Sequence, residues 1–334
     1  MRREGHLFER IFAFDTLLEA FWRARRRAAA SDEVRAFEGE LFESLARLRR
    51  QAWDGSLELG RFRSFEICDP KRRRIHAPVF EERVLHHAVC SIIGPRIERS
   101  LIDRTYACRK GLGTHAALGA ARALARTNPF VAKLDVRGYF DSIDHDVLLE
   151  RLERLFKDAR LLRLLERIVR SYQVSVGRGI PIGSLCSQTF GNLYLAPFDR
   201  VASADPGVGA YVRYMDDALV FGDSKAGVAR SARAAMAATH ALGLTWKAVH
   251  VFAVARGFPF LGWSIAPHGA RLTAARKRRA RARLRGLGRA WDRGRIEEPE
   301  YARRLESSFA HLAGERTRAL RRAWIDGLGL DAGA

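Results

Sequence analysis

The amino-acid sequence predicts an α+β protein in which a small antiparallel β-sheet is packed against helices. Three observations support this prediction. Apolar residues recur at helical spacing over long stretches, strand-like apolar runs occur in the middle of the chain, and the C-terminal part is basic with a helical pattern. The chain has 334 residues, a length that favours two domains or one large protein divided into subdomains.

Helical patterns occupy most of the N-terminal part. Apolar residues recur at helical spacing from Leu7 to Phe21 and from Phe37 to Leu48. An Arg-rich segment from Arg61 to Val79 contains short β-like runs instead. Helical patterns return from Glu81 to about Ile102 and from Leu149 to about Tyr172. We therefore expect helices here, interrupted by short strands.

The strand-like segments come next. One runs from Phe130 to Val136, and a second, from Ala210 to Tyr214, meets a third, from Ala218 to Phe221, across a two-aspartate step. The last two have the proportions of a β-hairpin, although Met-Asp-Asp lacks the Asn-Gly signature of a tight turn. Residues 225–242 are predicted to form an Ala-rich helix, and the chain from Ala274 onward is predicted to be basic and helical.

The charge of the chain narrows the class of partner. Lys+Arg 59 against Asp+Glu 38 gives a formal net charge of +21, and hydrophobic residues make up 47%. This apolar content excludes a disordered basic tail. The excess positive charge indicates a polyanionic partner. Nucleic acid is the first candidate for this partner, and an anionic membrane surface is the second. Because no apolar run approaches the ~18 residues of a spanning helix, and the N-terminus lacks the pattern of a signal peptide, we expect a cytoplasmic protein with no membrane partner.

The cysteines give no sign of a metal or disulfide framework. The four cysteines are far apart in the sequence, and no two form a C-x-x-C pair: Cys68, Cys90, Cys108 and Cys186. This spacing argues against a zinc ribbon and predicts reduced, mostly buried thiols.

Two acidic sites interrupt apolar strand patterns. Asp135 ends the first strand-like run, and Asp216 and Asp217 lie between the two runs of the hairpin. Carboxylates crowded onto one face of a sheet would repel each other and raise one another's pKa values. A bound divalent cation removes that cost, and hard oxygen ligands suit Mg²⁺. Two ions ~3.5–4 Å apart support an in-line phosphoryl displacement. An isolated Asp is more often a turn residue or an ion-pair partner, but an Asp pair at a strand-turn-strand is less ordinary.

These residues resemble a known family. Tyr214-Met215-Asp216-Asp217 resembles the Y-x-D-D box of reverse transcriptases, and the segment 134–145 is similar to the first catalytic motif of the bacterial enzymes. Residues 104–115 resemble the fingers motif that precedes it, and 257–263 resemble the primer-grip motif. The resemblance implies a right-hand polymerase, an RNA-directed DNA polymerase. By this resemblance, the chain divides into an N-terminal helical extension and fingers (1–125), a catalytic palm (126–265) and a basic helical thumb (266–334).

The resemblance also assigns residues to the reaction. It implies that Asp135, Asp216 and Asp217 are catalytic and hold two Mg²⁺ ions, with the backbone carbonyl of Val136 as a further ligand. Phe140 takes the position of the steric gate, an aromatic ring that excludes the ribose 2′-hydroxyl. The primer grip corresponds to three consecutive residues: Phe260, Leu261 and Gly262.

Two further assignments leave alternatives open. Lys71, Arg73 and Arg74 resemble a pattern that binds the triphosphate of the incoming dNTP, but the same residues could form a solvated face that touches template phosphates. In the family's fourth motif the usual Lys position is occupied by His250, with Lys247 close by. Either residue can act as the general acid for departing pyrophosphate, and a merely structural role stays equally open.

One segment indicates the subgroup. Within the segment 179–188, the sequence from position 182 onward follows the pattern I-G-x-x-x-S-Q. The four defined positions of this pattern are Ile182, Gly183, Ser187 and Gln188. This variant resembles reverse transcriptases of diversity-generating retroelements, in which the region lies at the templating base and is tied to adenine-directed misincorporation. The resemblance implies an RNA template, a cDNA or primer strand, dNTPs, a structured non-coding RNA and a small basic accessory protein oligomer.

Other functions remain as alternatives. Antiphage defence and retron-type reverse transcriptases share parts of the same motif set. A different class is a catalytically inactive RNA-binding protein that keeps the fold. The three intact aspartates argue against that class, because RNA binding alone does not require clustered acids in a basic protein.

Overall fold

The computed structural model describes residues 3–26, 31–68, 72–204, 210–310, 312 and 317–326. The N-terminal part is mainly helical, with one pair of strands: α1 (Phe8–Ile11), α2 (Phe14–Arg25), α3 (Asp32–Gly39), α4 (Leu41–Asp54), β1 (Phe62–Cys68), β2 (Arg72–Pro78), α5 (Phe80–Glu98) and α6 (Thr114–Leu124).

The middle and C-terminal parts follow in order. The middle part contains β3 (Phe130–Asp135), α7 (Tyr139–Ser142), α8 (His145–Glu153), α9 (Ala159–Arg170), α10 (Leu185–Tyr194), α11 (Ala196–Ala204), β4 (Ala210–Tyr214), β5 (Asp217–Gly222), α12 (Lys225–Ala238) and β6 (His250–Ala253). The C-terminal part contains β7 (Phe258–Phe260), β8 (Trp263–Ala266), β9 (Gly269–Leu272), α13 (Ala274–Asp292), α14 (Glu298–Ala310) and α15 (Arg318–Asp326).

The strands form small antiparallel sheets. The described strands make a hairpin of β1 and β2, a four-stranded sheet in the order β4-β5-β3-β6, and a three-stranded sheet in the order β7-β8-β9. Every pairing within them is antiparallel. The predicted α+β class with a small antiparallel sheet is confirmed.

The four-stranded sheet matches the strand prediction closely. β3 covers the predicted run up to Asp135, and β4 and β5 form the predicted hairpin around the two aspartates. The turn of this hairpin begins at Met215, whose φ of 55° lies in the left-handed region. The left-handed backbone at Met215 lets the turn close without the Asn-Gly signature. A non-glycine residue adopts this conformation at an energetic cost.

The helix predicted from Leu149 to Tyr172 is wrong as a single element. The chain forms α8 and α9 instead, because Asp158 starts a new helix by accepting hydrogen bonds from the amides of Arg160 (3.1 Å) and Leu161 (3.2 Å). The second carboxylate oxygen of Asp158 accepts from the amides of Leu7 (2.8 Å) and Phe8 (3.0 Å). One side chain therefore divides the helix and anchors the N-terminal segment.

Two apolar cores lie on either side of the central sheet. The larger core joins the N-terminal helices to α8–α12, and the smaller lies beneath the three-stranded sheet and α6. α12 packs on β3 and β5 and so covers one face of the sheet. No helix in the described part of the chain is both long and apolar enough to cross a bilayer.

The expectation of mostly buried cysteines is wrong. All four thiols are free, but only Cys186 is buried, Cys90 is half-buried, and Cys68 and Cys108 are exposed. Cys68 ends an exposed strand of the β1–β2 hairpin, and Cys108 lies in a loop before α6 with φ 53°. Cys68 and Cys108 are therefore exposed because the strand end and the loop that carry them face solvent, although cysteine is an apolar residue.

Candidate active site

The three aspartates meet at one edge of the four-stranded sheet. Asp135 is the last residue of β3 and lies directly opposite Asp217, the first residue of β5, in the strand register. Asp216 precedes Asp217 in the turn after β4. The antiparallel pairing of β3 with β5 therefore brings together acids that are more than eighty residues apart in the chain.

Burial and mutual repulsion raise the pKa values of two of these acids. Burial raises the pKa of Asp217 to about 6, and the Asp135 and Asp216 carboxylates add to the rise, while Lys133 opposes it. Burial also raises the pKa of Asp216, and Asp135 again adds to it, while Arg73 and Lys247 act in the opposite direction. The edge of the sheet thus carries negative charge in a poorly solvated place.

Two lysines neutralise part of this charge. Lys247 Nζ lies 2.5 Å from Asp135 Oδ2, and Lys133 Nζ lies 3.1 Å from Asp217 Oδ2. Lys247 is also tied to the strand, because its backbone amide donates to the carbonyl of Asp135 at 2.9 Å. Neither contact was predicted from the sequence, since each joins residues that are close only in the folded chain.

The donor set fits a hard divalent cation. Among the described residues, no three His, Cys, Asp or Glu side chains are arranged in this structure as a metal-binding group. The carboxylates of Asp135 and Asp217 contact lysines instead. However, Asp217 Oδ1 is buried without a hydrogen-bond partner among the described residues. A buried, orphaned carboxylate oxygen beside two further carboxylates is the arrangement that an oxygen-preferring cation completes.

Phe140 lies beside the aspartate turn. It belongs to α7 and is half-buried, with its ring centroid 5.4 Å from that of Tyr139. A Cβ atom added at Gly191 would lie 3.3 Å from the Tyr139 ring, 3.4 Å from Met215 Sδ and 3.5 Å from the Phe140 ring. Gly191, which no sequence motif indicated, thus lets both rings pack against the turn.

The β1–β2 hairpin presents its basic residues on both faces. Lys71 lies outside the described residues. Arg73 and Arg74 are adjacent on β2 and therefore point to opposite faces, and it is Arg73 whose charge lowers the pKa of Asp216. Arg72 is paired with Glu66 at 2.6 Å. The structure therefore brings Arg73 toward the aspartates and does not show the same for Arg74.

The segment 182–188 packs against that hairpin. The carbonyl of Ile182 accepts a hydrogen bond of 2.7 Å from the amide of His76. Gly183 has φ 121°, and a Cβ atom there would lie 2.7 Å from Ile75 Cγ2, so this position requires glycine. Ser187 is buried at the start of α10.

Gln188 is held by a residue that no sequence motif indicated. Cys108 Sγ donates to Gln188 Oε1 at 3.3 Å, across 80 positions of sequence. The backbone of Cys108 is in the left-handed region, an unusual conformation for a non-glycine residue. No residue pattern in the sequence signals this contact.

The three residues predicted to form the primer grip lie at a turn near the same edge. Leu261 (φ 47°) and Gly262 (φ 81°) connect β7, which ends at Phe260, to β8. Arg276 Nη1, from the first helix after the sheet, donates to the Leu261 carbonyl at 2.7 Å. Lys133, which contacts Asp217, also donates to the carbonyl of Pro259 at 3.3 Å. One side chain thus links this segment to the aspartates.

The two general-acid candidates occupy different places. His250 begins β6 as an exposed residue, opposite Lys133 in the strand register. Lys247 lies before that strand with its amine against Asp135. The structure brings Lys247 into direct contact with the aspartates, whereas His250 has an exposed side chain at the adjacent strand.

Comparison with known proteins identifies the class. Residues 69–265, which contain all three aspartates, match the family "Reverse transcriptase (RNA-dependent DNA polymerase)". The chain belongs to this family. This membership confirms the predicted reverse transcriptase family and the right-hand polymerase fold. Members of the family normally use divalent metal ions.

Several particular proteins are similar to this chain. Protein YkfC of Escherichia coli is 25% identical over 142 residues, which cover 39% of this chain and 37% of YkfC. The group II intron-encoded protein LtrA of Lactococcus lactis is 24% identical over 136 residues, or 39% of this chain and 23% of LtrA. The chain thus spans less than two fifths of the length of these relatives. A structure of Candida albicans telomerase with a TWJ fragment of telomeric RNA aligns with TM-score 0.46 and 14% identity, covering 64% of this chain and 45% of that chain.

Proposed function

We propose that this protein copies RNA into DNA, by attack of a primer 3′-hydroxyl on the α-phosphate of a dNTP. The observation that supports this most directly is the register of β3 against β5, which sets Asp135 opposite Asp217 with Asp216 in the adjoining turn. A protein that only binds RNA has no need of clustered acids like these, in which burial, together with the Asp135 and Asp216 carboxylates, raises the pKa of Asp217 to about 6.

We propose that the metal site holds two Mg²⁺ ions. Asp135, Asp216, Asp217 and the backbone carbonyl of Val136 would hold them, and their oxygen atoms match the preference of this cation. When bound, such ions activate the attacking hydroxyl and stabilise the leaving oxygen. Lys133 and Lys247 offset part of the repulsion between the acids.

Neighbouring side chains would select and orient the nucleotide. Phe140, against Met215 and Gly191, is an apolar wall at the place where a ribose 2′-hydroxyl would clash. Arg73 is the cation of the hairpin that acts on Asp216, and we assign it the triphosphate, with Lys71 and Arg74 as further candidates. Lys247 is the stronger candidate for the general acid, because its amine already lies at the aspartates.

We further propose that the enzyme serves a diversity-generating retroelement and makes adenine-mutagenised cDNA from a template-repeat RNA. The support is the I-G-x-x-x-S-Q segment and its packing. Ile182 and Gly183 lie tightly against β2, and Gln188 is held by Cys108, so these residues form a fixed surface beside the hairpin. A structured non-coding RNA and a small basic accessory protein are the partners that this role implies.

A second candidate function is that of an intron-encoded reverse transcriptase. The similarity to LtrA, a group II intron-encoded protein, favours it. Both candidates predict the same chemistry, and they differ in the bound RNA and in the errors made during copying. Sequencing of RNA that copurifies with the chain therefore separates them.

The deciding experiment is primer extension on a defined RNA template with Mg²⁺, followed by sequencing of the cDNA. We expect metal-dependent extension that the Asp216→Ala/Asp217→Ala variant lacks, with errors concentrated at template adenines. Extension with equal errors at all four template bases would contradict the mutagenic role while leaving the polymerase in place. Absence of extension by the unaltered protein, with RNA still bound, would favour an inactive RNA-binding protein.

A further inference from the structure

A buried ion pair lies directly behind the aspartate turn. Arg213 of β4 and Asp199 of α11 are both 0% exposed. Arg213 Nε donates to Asp199 Oδ1, and Nη2 donates to Oδ2, each at 2.6 Å. The Tyr211 hydroxyl adds a hydrogen bond of 2.7 Å to the same carboxylate. This is a two-pronged, charge-assisted contact, the strongest arrangement that an arginine and a carboxylate form.

The remaining nitrogen of the guanidinium reaches the turn itself. Arg213 Nη1 donates to the backbone carbonyl of Met215 at 2.8 Å and to Asn192 Oδ1 at 3.1 Å. Met215 is the residue in the left-handed conformation, and it immediately precedes Asp216. A strained residue keeps its conformation only when its surroundings hold it there. Arg213 supplies a rigid donor at that place.

The same group of residues holds the loop that carries Cys108. Asn192 Nδ2 donates to the carbonyl of Ala107 at 2.7 Å. The backbone of Arg213 also bonds to this loop, since its amide donates to Arg104 and its carbonyl accepts from Tyr106, both at 2.9 Å. Arg213 therefore joins the aspartate turn to the segment that contacts Gln188.

Stability alone is a poor reason for this arrangement. Desolvation of two buried charges offsets much of their attraction, and well-packed apolar side chains often serve a core equally well. An apolar pair, however, offers no donor to the Met215 carbonyl. We propose that Arg213 is a positioning residue, which fixes the Met215–Asp217 turn so that its carboxylates are held beside Asp135 at the proposed metal site. This inference rests on the proposed function of the three aspartates.

The test separates positioning from folding with an apolar replacement. In the triple variant Asp199→Leu/Tyr211→Phe/Arg213→Met, no charge or hydroxyl of the set is left buried without a partner. A second variant, Arg213→Lys, keeps the charge beside Asp199 but lacks the planar fork that also reaches Met215. Leu165→Ala, in the core at α9, is the control for lost stability without a change at the turn. Melting temperatures identify the variants that are folded.

Binding of Mn²⁺, measured by electron paramagnetic resonance, is the readout independent of turnover. We expect the triple variant and Arg213→Lys to bind Mn²⁺ about 10–100-fold more weakly, with kcat lowered by a similar factor and the KM for dNTP nearly unchanged. Leu165→Ala should bind Mn²⁺ as the unaltered protein does. If the triple variant fails to fold, Arg213→Lys carries the comparison.

Two outcomes overturn the inference in distinguishable ways. A folded triple variant, or a folded Arg213→Lys variant, with unaltered Mn²⁺ affinity and kcat would show that the ion pair is only structural, and the proposed function would stand. If the unaltered protein binds no more Mn²⁺ than Asp216→Ala/Asp217→Ala does, the proposed metal site and this inference both fail.

Discussion

The thiol of Cys108 donates a hydrogen bond of 3.3 Å to the side-chain oxygen of Gln188. Cys108 lies in the loop before α6, and Gln188 lies on α10, so the contact ties together two segments that are remote in sequence. Although the residue as a whole is exposed, desolvation of the Cys108 thiol by the surrounding protein raises its pKa, which keeps it protonated and able to donate. Because the bond occupies Oε1, the amide group of Gln188 is fixed in one orientation.

We therefore predict that Cys108 affects copying errors through Gln188. Cys108→Ala frees the amide to rotate, and the distribution of errors among the four template bases should move toward that of Gln188→Ala. Cys108→Ser, which restores a hydroxyl donor, should return the distribution toward that of the unaltered enzyme. The measurement is cDNA sequencing on one defined RNA template. An altered Gln188→Ala profile beside an unaltered Cys108→Ala profile would refute the link.

Phe140→Ala should weaken discrimination against ribonucleotides. Its ring packs by the aspartate turn, and removal of an apolar wall admits a substrate with one additional hydroxyl, an effect of up to about 100-fold in the ratio of kcat/KM values. Single-nucleotide incorporation of dNTP and rNTP measures this ratio. Phe42→Ala, the same substitution at an exposed position of α4, is the matched control and should leave the ratio unchanged. Equal ratios for all three proteins would remove the steric-gate assignment.

Lys247→Gln should slow the chemical step more than His250→Gln does. The Lys247 amine lies at Asp135, whereas His250 is exposed on β6, so loss of a positioned proton donor is expected only for Lys247. General acid catalysis contributes typically about 100-fold or more. Lys247→Arg keeps a positive charge beside Asp135 but does not release a proton near neutral pH, so it should not recover this contribution. Pre-steady-state incorporation rates measured as a function of pH test this. A larger loss for His250→Gln would reverse the assignment.

Local patterns were sufficient to predict the strands that carry the aspartates. Apolar runs next to acidic residues predicted β3, β4 and β5. Apolar residues at helical spacing predicted the helices of the N-terminal part. The break at Asp158 was missed, because that side chain acts by capping one helix and binding the amides of Leu7 and Phe8. A helical apolar pattern continues through such a position unchanged.

The contacts around the site were not predictable in the same way. Lys247 reaches Asp135 across 112 positions, and Lys133 reaches Asp217 across 84. Each depends on how β3 pairs with its neighbours, and neither residue type nor local spacing encodes that approach. The roles assigned to the site residues came from family resemblance, and they stay predictions until the variants are measured.

The prediction for the C-terminal helix α13, in the predicted thumb, concerns the salt dependence of nucleic-acid affinity and not the choice of the inserted base. Arg278, Arg281 and Arg285 are exposed on α13 at helical spacing, so they share one face of the helix. Replacing all three with Ala should weaken binding to an RNA–DNA duplex. The slope of log affinity against log salt should fall by about one for each phosphate that the helix no longer neutralises, and the error profile should not change.

A matched control for the thumb exists in the N-terminal helices. Arg23 and Arg35 are already paired with Glu19 and Asp32, so Arg23→Ala/Arg35→Ala removes cations whose charge is locally offset. We expect this variant to keep the salt slope of the unaltered protein. A thumb variant with an unchanged slope would mean that α13 does not contact phosphates.

The last prediction concerns stability against pH. Burial lowers the pKa of His86 to about 3 and that of His87 to about 4, well below the usual value of 6.5. The unfolded chain therefore binds protons that the folded chain does not, so stability falls as pH drops from about 6.5 toward 4. The buried His86 contributes a slope of up to about 1.4 kcal/mol per pH unit in this window, and the partly exposed His87 contributes less because solvent screens its charge.

His86→Gln should remove one of these two contributions. The free energy of unfolding, measured by urea denaturation between pH 7 and pH 4, should fall less steeply with acid, and the difference in slope should approach about 1.4 kcal/mol per pH unit below pH 6. Glu82, whose carboxylate lies 3.6 Å from His86 Nε2, acts in the opposite direction because burial raises its pKa, but it is present in both proteins. His240→Gln, at an exposed position, is the control and should keep the original slope. An unchanged slope in His86→Gln would show that His86 is protonated in the folded protein, against the effect of its burial on α5, where its ring contacts Ser184.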